Sequence, residues 1–321
     1  MFELLAAYGL DRLLGDPVYS WHPVQVLERA IRKSETRLRA RFPHGKTAGL
    51  LLAAIIPVST FAFVWFLCEL AGQIYPALKT ILTVYFIYSA ITVKDLKSEA
   101  RRVYAALIGR KLEAARKNLS RIVGWDTGSL NEEEVIRGTV ETVAESFVDG
   151  IWSPLFYAAL GGAPLAMAYK AVNILDSLVG PRASRDREFG FFPEKLDEIM
   201  NWIPARLAFL LIPAGAFFTN GRFIEALRVG WTDGAATSFQ NSVIPKAAFA
   251  GALGVQLGGV NFYQGERVVS PKLGYSMKNL EAADIRTAYR LMLAGSWFAL
   301  ALSVFLNVFT GWVQDLILRP L

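Results

Sequence analysis

The sequence predicts an all-α, polytopic integral membrane protein with four or five transmembrane helices and amphipathic cytoplasmic helices. Three observations carry that prediction. Apolar residues are gathered into blocks as long as a bilayer is thick, basic residues flank the first blocks, and the long polar stretch between blocks has helical periodicity and a helix-start signal.

Of the 321 residues, 53% are hydrophobic and 8 are Trp. Soluble domains average about 45–50% apolar residues, so the distribution matters more than the amount. No Pro/Gly/Ser-rich linker, low-complexity tract or fixed-period repeat divides the chain, and a single membrane-embedded domain over residues 1–321 is expected. The 34 Lys and Arg exceed the 28 Asp and Glu, which fits the loop bias of an inner-membrane protein. Nucleic-acid binding is not expected, because no basic stripe with groove-reading elements is present. Cys68 is the only cysteine, so neither a disulfide framework nor a thiolate metal site is available. Glu3, Asp11 and Arg12 interrupt the first apolar stretch, which argues against a cleavable signal peptide.

In chain order, residues 47–72 form the clearest span, with Glu69 near its end and Pro57 expected to kink it. About 20 apolar residues suffice to cross the hydrocarbon core. Residues 78–93 form a second span, and the short link 73–77 makes the two a helical hairpin. Arg29, Arg32, Lys33, Arg37, Arg39, Arg41 and Lys46 precede it, and Lys94, Lys97, Arg101 and Arg102 follow it. The positive-inside rule then puts both flanks in the cytoplasm. Residues 94–120 read as one amphipathic helix, with Leu96, Val103, Leu107, Leu112 and Leu119 among charges. The next helix starts at a capping box, Asn131 with Glu134, and runs from Glu132 to about Val148. Residues 151–178 form either one broken span or a re-entrant pair, because Gly161-Gly162-Ala163-Pro164 interrupts them. Residues 202–218 and 291–313 complete the set.

Four polar groups stand out. Arg137, Glu141, Glu145 and Asp149 recur every four residues, which puts the first three on one helix face with Asp149 at its edge. Like charges at this spacing destabilise a helix. Either a hard cation such as Mg²⁺ offsets that, or the face is solvated with Arg137 as partner. Lys170, Asn173, Asp176 and Ser177 form a polar strip in an otherwise apolar helix, where charge is costly. Lys170 could hold phosphate as a point charge or pair with Asp176. Near the start, Gly15-Asp16-Pro17 and His22-Pro23 read in isolation as turn chemistry and an interfacial side chain. Gly251, Gly254, Gly258, Gly259 and Gly265 suit close helix packing, with a phosphate cradle as the lesser reading. No Walker A, HExxH or CxxC pattern occurs.

Taken together, these islands resemble one family, the cobalamin-biosynthesis membrane protein called CobD or CbiB, adenosylcobinamide-phosphate synthase. The resemblance runs from DRLLGDP (residues 11–17) and HPV (22–24) through EEVIRGTVETVAES (133–146), VDGIWSPLFY (148–157) and GGAPLAMAYKAVNILDSLVG (161–180). It continues in FG (189–190), LD (196–197), N-x-IPARL (201–207), and AGALG with LGG in 250–259. The resemblance implies a carbon–nitrogen ligase that spends ATP with Mg²⁺ to join adenosylcobyric acid to aminopropanol phosphate or a related amino-alcohol phosphate. A carboxylate is a poor acyl donor, so activation as an acyl phosphate is expected, with catalysis by positioning and by stabilising phosphoryl charge. Glu141, Glu145 and Asp149 would hold Mg²⁺ and nucleotide phosphates, and Lys170 would face phosphate charge. Asn173 and Asp176 would orient groups around it, while Asp16, His22, Asp197, Asn201, Arg206 and Asn241 would contact substrate. The lipid bilayer is the expected surrounding, and a homo-oligomer or a complex with other corrinoid-pathway membrane enzymes is open.

The chain also departs from the family pattern. Trp125 stands where Gly-Arg-Asp-Thr has Arg, and Ser146 replaces an Asn. Lys246 occupies the Glu position of Pro-Glu-Ala, after Ser238-Phe239-Gln240-Asn241 where Ser-Pro-Asn is usual. Rival readings are a non-catalytic membrane regulator on this scaffold and a small-molecule transporter, which broken helices with intramembrane charge resemble.

Overall fold

The computed structural model describes residues 1–16, 19–42, 44–180, 186–219, 221–235 and 240–318. The helices in chain order are α1 (Phe2–Leu14), α2 (Pro23–Arg41), α3 (Gly45–Ile74), α4 (Pro76–Ala90), α5 (Val93–Ile108), α6 (Leu112–Leu119) and α7 (Glu132–Phe147). A π-helical turn (Val148–Trp152) joins α7 to α8 (Ser153–Val179), followed by α9 (Arg187–Thr219) and α10 (Phe223–Val229). A second π turn (Gly230–Ala235), α11 (Val243–Leu253), strands β1 (Leu257–Tyr263) and β2 (Glu266–Leu273), and α12 (Ala282–Leu318) complete the order.

Among the described residues, five helical stretches are long and apolar enough to cross a membrane: Gly45–Ile74, Pro76–Ile108, Glu132–Val179, Arg187–Thr219 and Ala282–Asp315. Each contains one of the five spans read from the sequence. The protein is therefore a helical, multi-pass membrane protein. The chain clusters into two compact units that interleave along the sequence. Long helices carry the backbone from one unit to the other, which explains why no linker is visible.

The first unit comprises residues 1–92, 150–200 and 299–321. Helix α3 buries a stripe through Ala48, Leu52, Ile56, Thr60, Val64, Cys68 and Ala71, the four-residue rhythm of one helix face. Its opposite side exposes Val58, Phe63, Trp65 and Phe66, which suits lipid. The helix continues through Pro57. Close approach is possible at Gly49, where a Cβ would stand 2.1 Å from the Phe189 carbonyl oxygen. Around that contact, Ile31, Leu52, Ile56, Ile174, Leu175 and Phe189 form a buried cluster. The α3–α4 link is tighter than expected: only Tyr75 is extended, and Pro76 opens α4. Lys79 Nζ pairs with Glu69 at 2.6 Å across the hairpin.

Helix α8 is interrupted as anticipated. Gly161 and Gly162 leave helical geometry, with Gly162 at φ 65°, a region that glycine alone enters freely. Pro164 follows and cannot supply an N–H to repair the ladder.

The second unit comprises residues 93–149 and 201–298. The expected single helix over 94–120 is two, α5 and α6, because Arg110 turns to φ 55° after Gly109 and ends the first. The Asn131–Glu134 capping box is present in both directions. Every residue of helix α11 except Lys246 is buried, and these residues are apolar or glycine, as a helix at the centre of a unit should be.

The β1–β2 hairpin is a departure from the all-helical expectation. Its turn uses Gln264 and Gly265, both at positive φ (52° and 84°), the two-residue turn whose twist matches antiparallel strands. Of the glycines read as helix-packing residues, only Gly251 serves that way, against the Glu225 carbonyl of α10. Gly254 closes α11 in the left-handed conformation. Gly258 lies at φ 85°, where a Cβ would meet the Pro271 oxygen at 1.9 Å, beside an irregularity in the strand register.

Candidate functional site

The residues singled out in the sequence divide between the two units. In the first, Tyr19–Tyr85 and Tyr88–Gly15 hydrogen bonds fasten the segment after α1 to α4. His22 precedes Pro23 at the first turn of α2 and is 1% exposed. Its Nε2 lies 2.8 Å from Asp16 Oδ1, a close approach that lacks hydrogen-bond alignment. The pair opens onto a cleft of about 500 Å³ whose other lining includes Gln25, Glu28 and Arg29. Asp16 and His22 are thus brought together. Pro17 lies outside the described residues.

Further along the first unit, Lys170 is buried to 7% exposure on α8. Asn173 and Asp176 are half-buried beside it in sequence, and the Ser177 hydroxyl donates to the Asn173 carbonyl. Tyr169 stacks on Tyr157 at 5.1 Å, and the Tyr157 hydroxyl donates to the Met200 carbonyl. That bond ties the turn of α9 carrying Asp197, itself half-buried, to α8.

In the second unit, Arg137 and Glu141 face one another on α7 at 3.1 Å, both buried. Glu141 Oε1 also accepts the Gly258 N–H at 2.7 Å, and Arg137 donates to the Val260 carbonyl and to Asn261 Oδ1. These bonds hold β1 against α7. Asp126 accepts the Gly265 N–H and donates its own N–H to Phe262, and Asp233 accepts the Gly274 N–H. The hairpin is therefore anchored by polar groups from three separate segments. A cleft of about 190 Å³ beside Arg137 is lined by Glu133, Gln256 and Lys278.

Glu145, one turn beyond Glu141, pairs with Lys246 Nζ of α11 at 2.8 Å. The two side chains are 31% and 20% exposed. Lys246, the charge-reversing departure, thus has a defined carboxylate partner. Trp125 likewise has a structural reason: its ring lies so close to α7 that a Cβ on Gly138 would come within 2.7 Å of it. Arg206 of α9 donates to Asn241 Oδ1 at 3.2 Å and sits 4.1 Å from the Trp202 ring centroid. Asn201 is fully buried on the preceding turn. Ser238 and Phe239 lie outside the described residues.

Among the described residues, no three His, Cys, Asp or Glu side chains group closely enough to hold a metal ion. Glu141, Glu145 and Asp149 do not form a three-carboxylate cage, because Glu141 turns to Arg137 and Gly258 while Glu145 turns to Lys246. Asp149 falls in the π turn, where the α-helical wheel used to place it no longer applies. The donor set fits a cation that arrives with phosphates and needs only one or two carboxylates. Sequence reading also missed the anchors Asp126 and Asp233. An Asp just ahead of a glycine, in Asp126-Thr127-Gly128 and Asp233-Gly234, is the available signal, and it is too common to act on.

Long apolar helices define a multi-pass membrane protein, and it carries buried charge on α7 and on α8. Comparison with known proteins makes this particular. Residues 4–292 match the family described as CobD/Cbib protein, and the chain belongs to that family of cobalamin biosynthesis proteins. It is 40% identical over 286 residues to "Cobalamin biosynthesis protein CobD" of Clostridium perfringens, covering 89% of this chain and 91% of the relative. It is 40% identical over 303 residues to the protein of the same name from Klebsiella pneumoniae, covering 93% and 94%. Identity to "Cobalamin biosynthesis protein CbiB" of Salmonella paratyphi B is 39% over 301 residues, covering 93% and 94%. No solved structure matches the chain.

Proposed function

We propose that this protein is an adenosylcobinamide-phosphate synthase, which joins the carboxylate of adenosylcobyric acid to the amine of aminopropanol phosphate or a related amino-alcohol phosphate. The observation that carries the reading is family membership at about 40% identity along nearly the whole chain. Retention of Glu145, Asp149, Lys170 and Asp176 supports catalytic competence over a regulatory role.

Bound ATP with Mg²⁺ supplies the phosphoryl group that converts the corrinoid carboxylate into an acyl donor. Attack by the neutral amine then forms the C–N bond and releases phosphate, and the nitrogen gives up a proton. Glu145 and Asp149 would be the protein's carboxylates toward the cation. Lys170, an ammonium in an apolar helix, stabilises phosphate charge as a point charge. Asn173 and Asp176 orient polar groups near it, and His22, buried beside Asp16, offers an imidazole to substrate. Arg206 and Asn241 present a cation and an amide toward anionic substrate groups. The basic flanks of α3 and α4 support a cytoplasmic side for this chemistry, where ATP is available.

The test is ligation by the detergent-solubilised protein, with adenosylcobyric acid, aminopropanol phosphate, ATP and Mg²⁺, following the corrinoid product by mass. Wild type should form product with stoichiometric ADP, and Glu145→Ala should lose about 10²-fold or more in rate. Folded wild type that yields no product with any of several amino-alcohol phosphates overturns the reading.

A further inference from the structure

The basic run ahead of α3 is more than a count of charges. Helix α2 turns its apolar side inward: Ile31 is fully buried, and Val24, Leu27, Leu38 and Phe42 pack on the same cluster as Leu52 and Ile56 of α3. Its basic residues therefore point away from the unit. Arg32, Lys33, Arg37, Arg41 and Lys46 are all exposed. Among the described residues none of these five has a hydrogen-bonding or ion-pairing side-chain partner. Arg39 differs, being held by Glu35 at 3.0 Å and Asp186 at 2.6 Å, with its guanidinium over the Phe189 ring.

Their depth in the bilayer follows from what they are attached to. Only residues 42–44 separate α2 from α3, and Lys46 already lies in the first turn of the spanning helix. Five uncompensated cations cannot enter hydrocarbon, yet α2 packs against the opening turns of a helix that does. The cationic face is thereby confined to the headgroup layer, where phosphates of anionic lipids lie and each nearby Lys or Arg attracts them. We infer that Arg32, Lys33, Arg37, Arg41 and Lys46 form a binding surface for anionic phospholipid headgroups. This surface goes beyond the topological role of the same charges, which ends once the chain is inserted.

The experiment reconstitutes the full chain in nanodiscs of phosphatidylcholine mixed with phosphatidylglycerol and measures the lipids retained after detergent extraction. Wild type should retain phosphatidylglycerol over phosphatidylcholine by about tenfold, since two such cations suffice for that preference. Raising salt should reduce the preference, because exposed charges are screened. A variant with all five residues changed to Gln should fall to parity while keeping the wild-type melting temperature in phosphatidylcholine alone. Inorganic phosphate at matched ionic strength should not raise the melting temperature; if it does so as well as the lipid, the surface is a free-phosphate site and the inference fails. Equal retention of both lipids by wild type, or an unchanged preference in the variant, also overturns it. Should the variant melt lower in phosphatidylcholine, single changes at Arg37 and Arg41 should each lower the preference by about fivefold, and no change in either overturns the inference.

Discussion

Lys246 Nζ lies 2.8 Å from Glu145 Oε2, joining an otherwise apolar, buried helix to the acidic face of α7. The lysine whose charge reverses the family pattern therefore sits against one of the carboxylates proposed for catalysis. With both side chains partly exposed, the pair contributes on the order of 1 kcal/mol or less to stability. Lys246→Glu should lower the melting temperature modestly and reduce ligation. The swap Glu145→Lys with Lys246→Glu should restore the melting temperature without restoring ligation. Recovery of both would make the pair structural only.

Arg137 and Glu141 form a different kind of pair, buried and aimed at the hairpin backbone. Arg137→Ala leaves a buried carboxylate without its cation, a loss of about 3–5 kcal/mol. Glu141→Gln should cost less, since the amide oxygen can still accept the Gly258 N–H. Hydrogen exchange should show β1 amides opening faster in both variants, and faster in Arg137→Ala. Equal protection in all three proteins would remove the anchoring role.

Gly49 is where α3 meets the Phe189 carbonyl, with no room for a Cβ. Gly49→Ala should destabilise by about 1–3 kcal/mol through backbone displacement, measured by thermal unfolding in detergent. Gly9, with open space around it, is the control, and Gly9→Ala should be neutral or slightly stabilising.

Asp186 provides the pH test. Burial pushes its carboxyl pKa up, but the Phe189 N–H and the Arg39 guanidinium outweigh that and hold it below the ordinary carboxylate range. A lowered folded-state pKa means stability that is present above the unfolded value, about 3.9, and is lost as pH falls through the folded value. Wild type should therefore exceed Asp186→Asn in melting temperature by a constant amount at neutral pH. The difference should vanish only under strongly acidic conditions, and a gap widening toward low pH would reverse the assignment.

Topology is open to the same kind of test because Cys68 is the only native thiol and is buried. In a Cys68→Ala background, cysteines placed at Lys33 and at Arg116 should label only from the cytoplasmic side. Labelling from opposite sides would contradict the orientation inferred from the basic flanks.

Five spans, the hairpin of α3 and α4, the capping box of α7 and the break at Gly161-Gly162 follow from local rules. Bilayer thickness, cap chemistry and glycine dihedrals act over a few residues to a few turns, so a linear reading captures them. The β1–β2 hairpin follows from no such rule. Its second strand is largely exposed, and the hairpin holds its place through bonds to Asp126, Arg137, Glu141 and Asp233, each distant in sequence. The same reason decided the acidic face. Helical periodicity aligned Arg137, Glu141 and Glu145, but only the fold could bring Gly258 to Glu141 and Lys246 to Glu145. Local sequence thus determined which segments are helical and which can cross a membrane, because those are properties of neighbouring residues. The tertiary structure alone decided which carboxylate anchors the hairpin and which meets a lysine, because a charge takes its role from the partner brought to it.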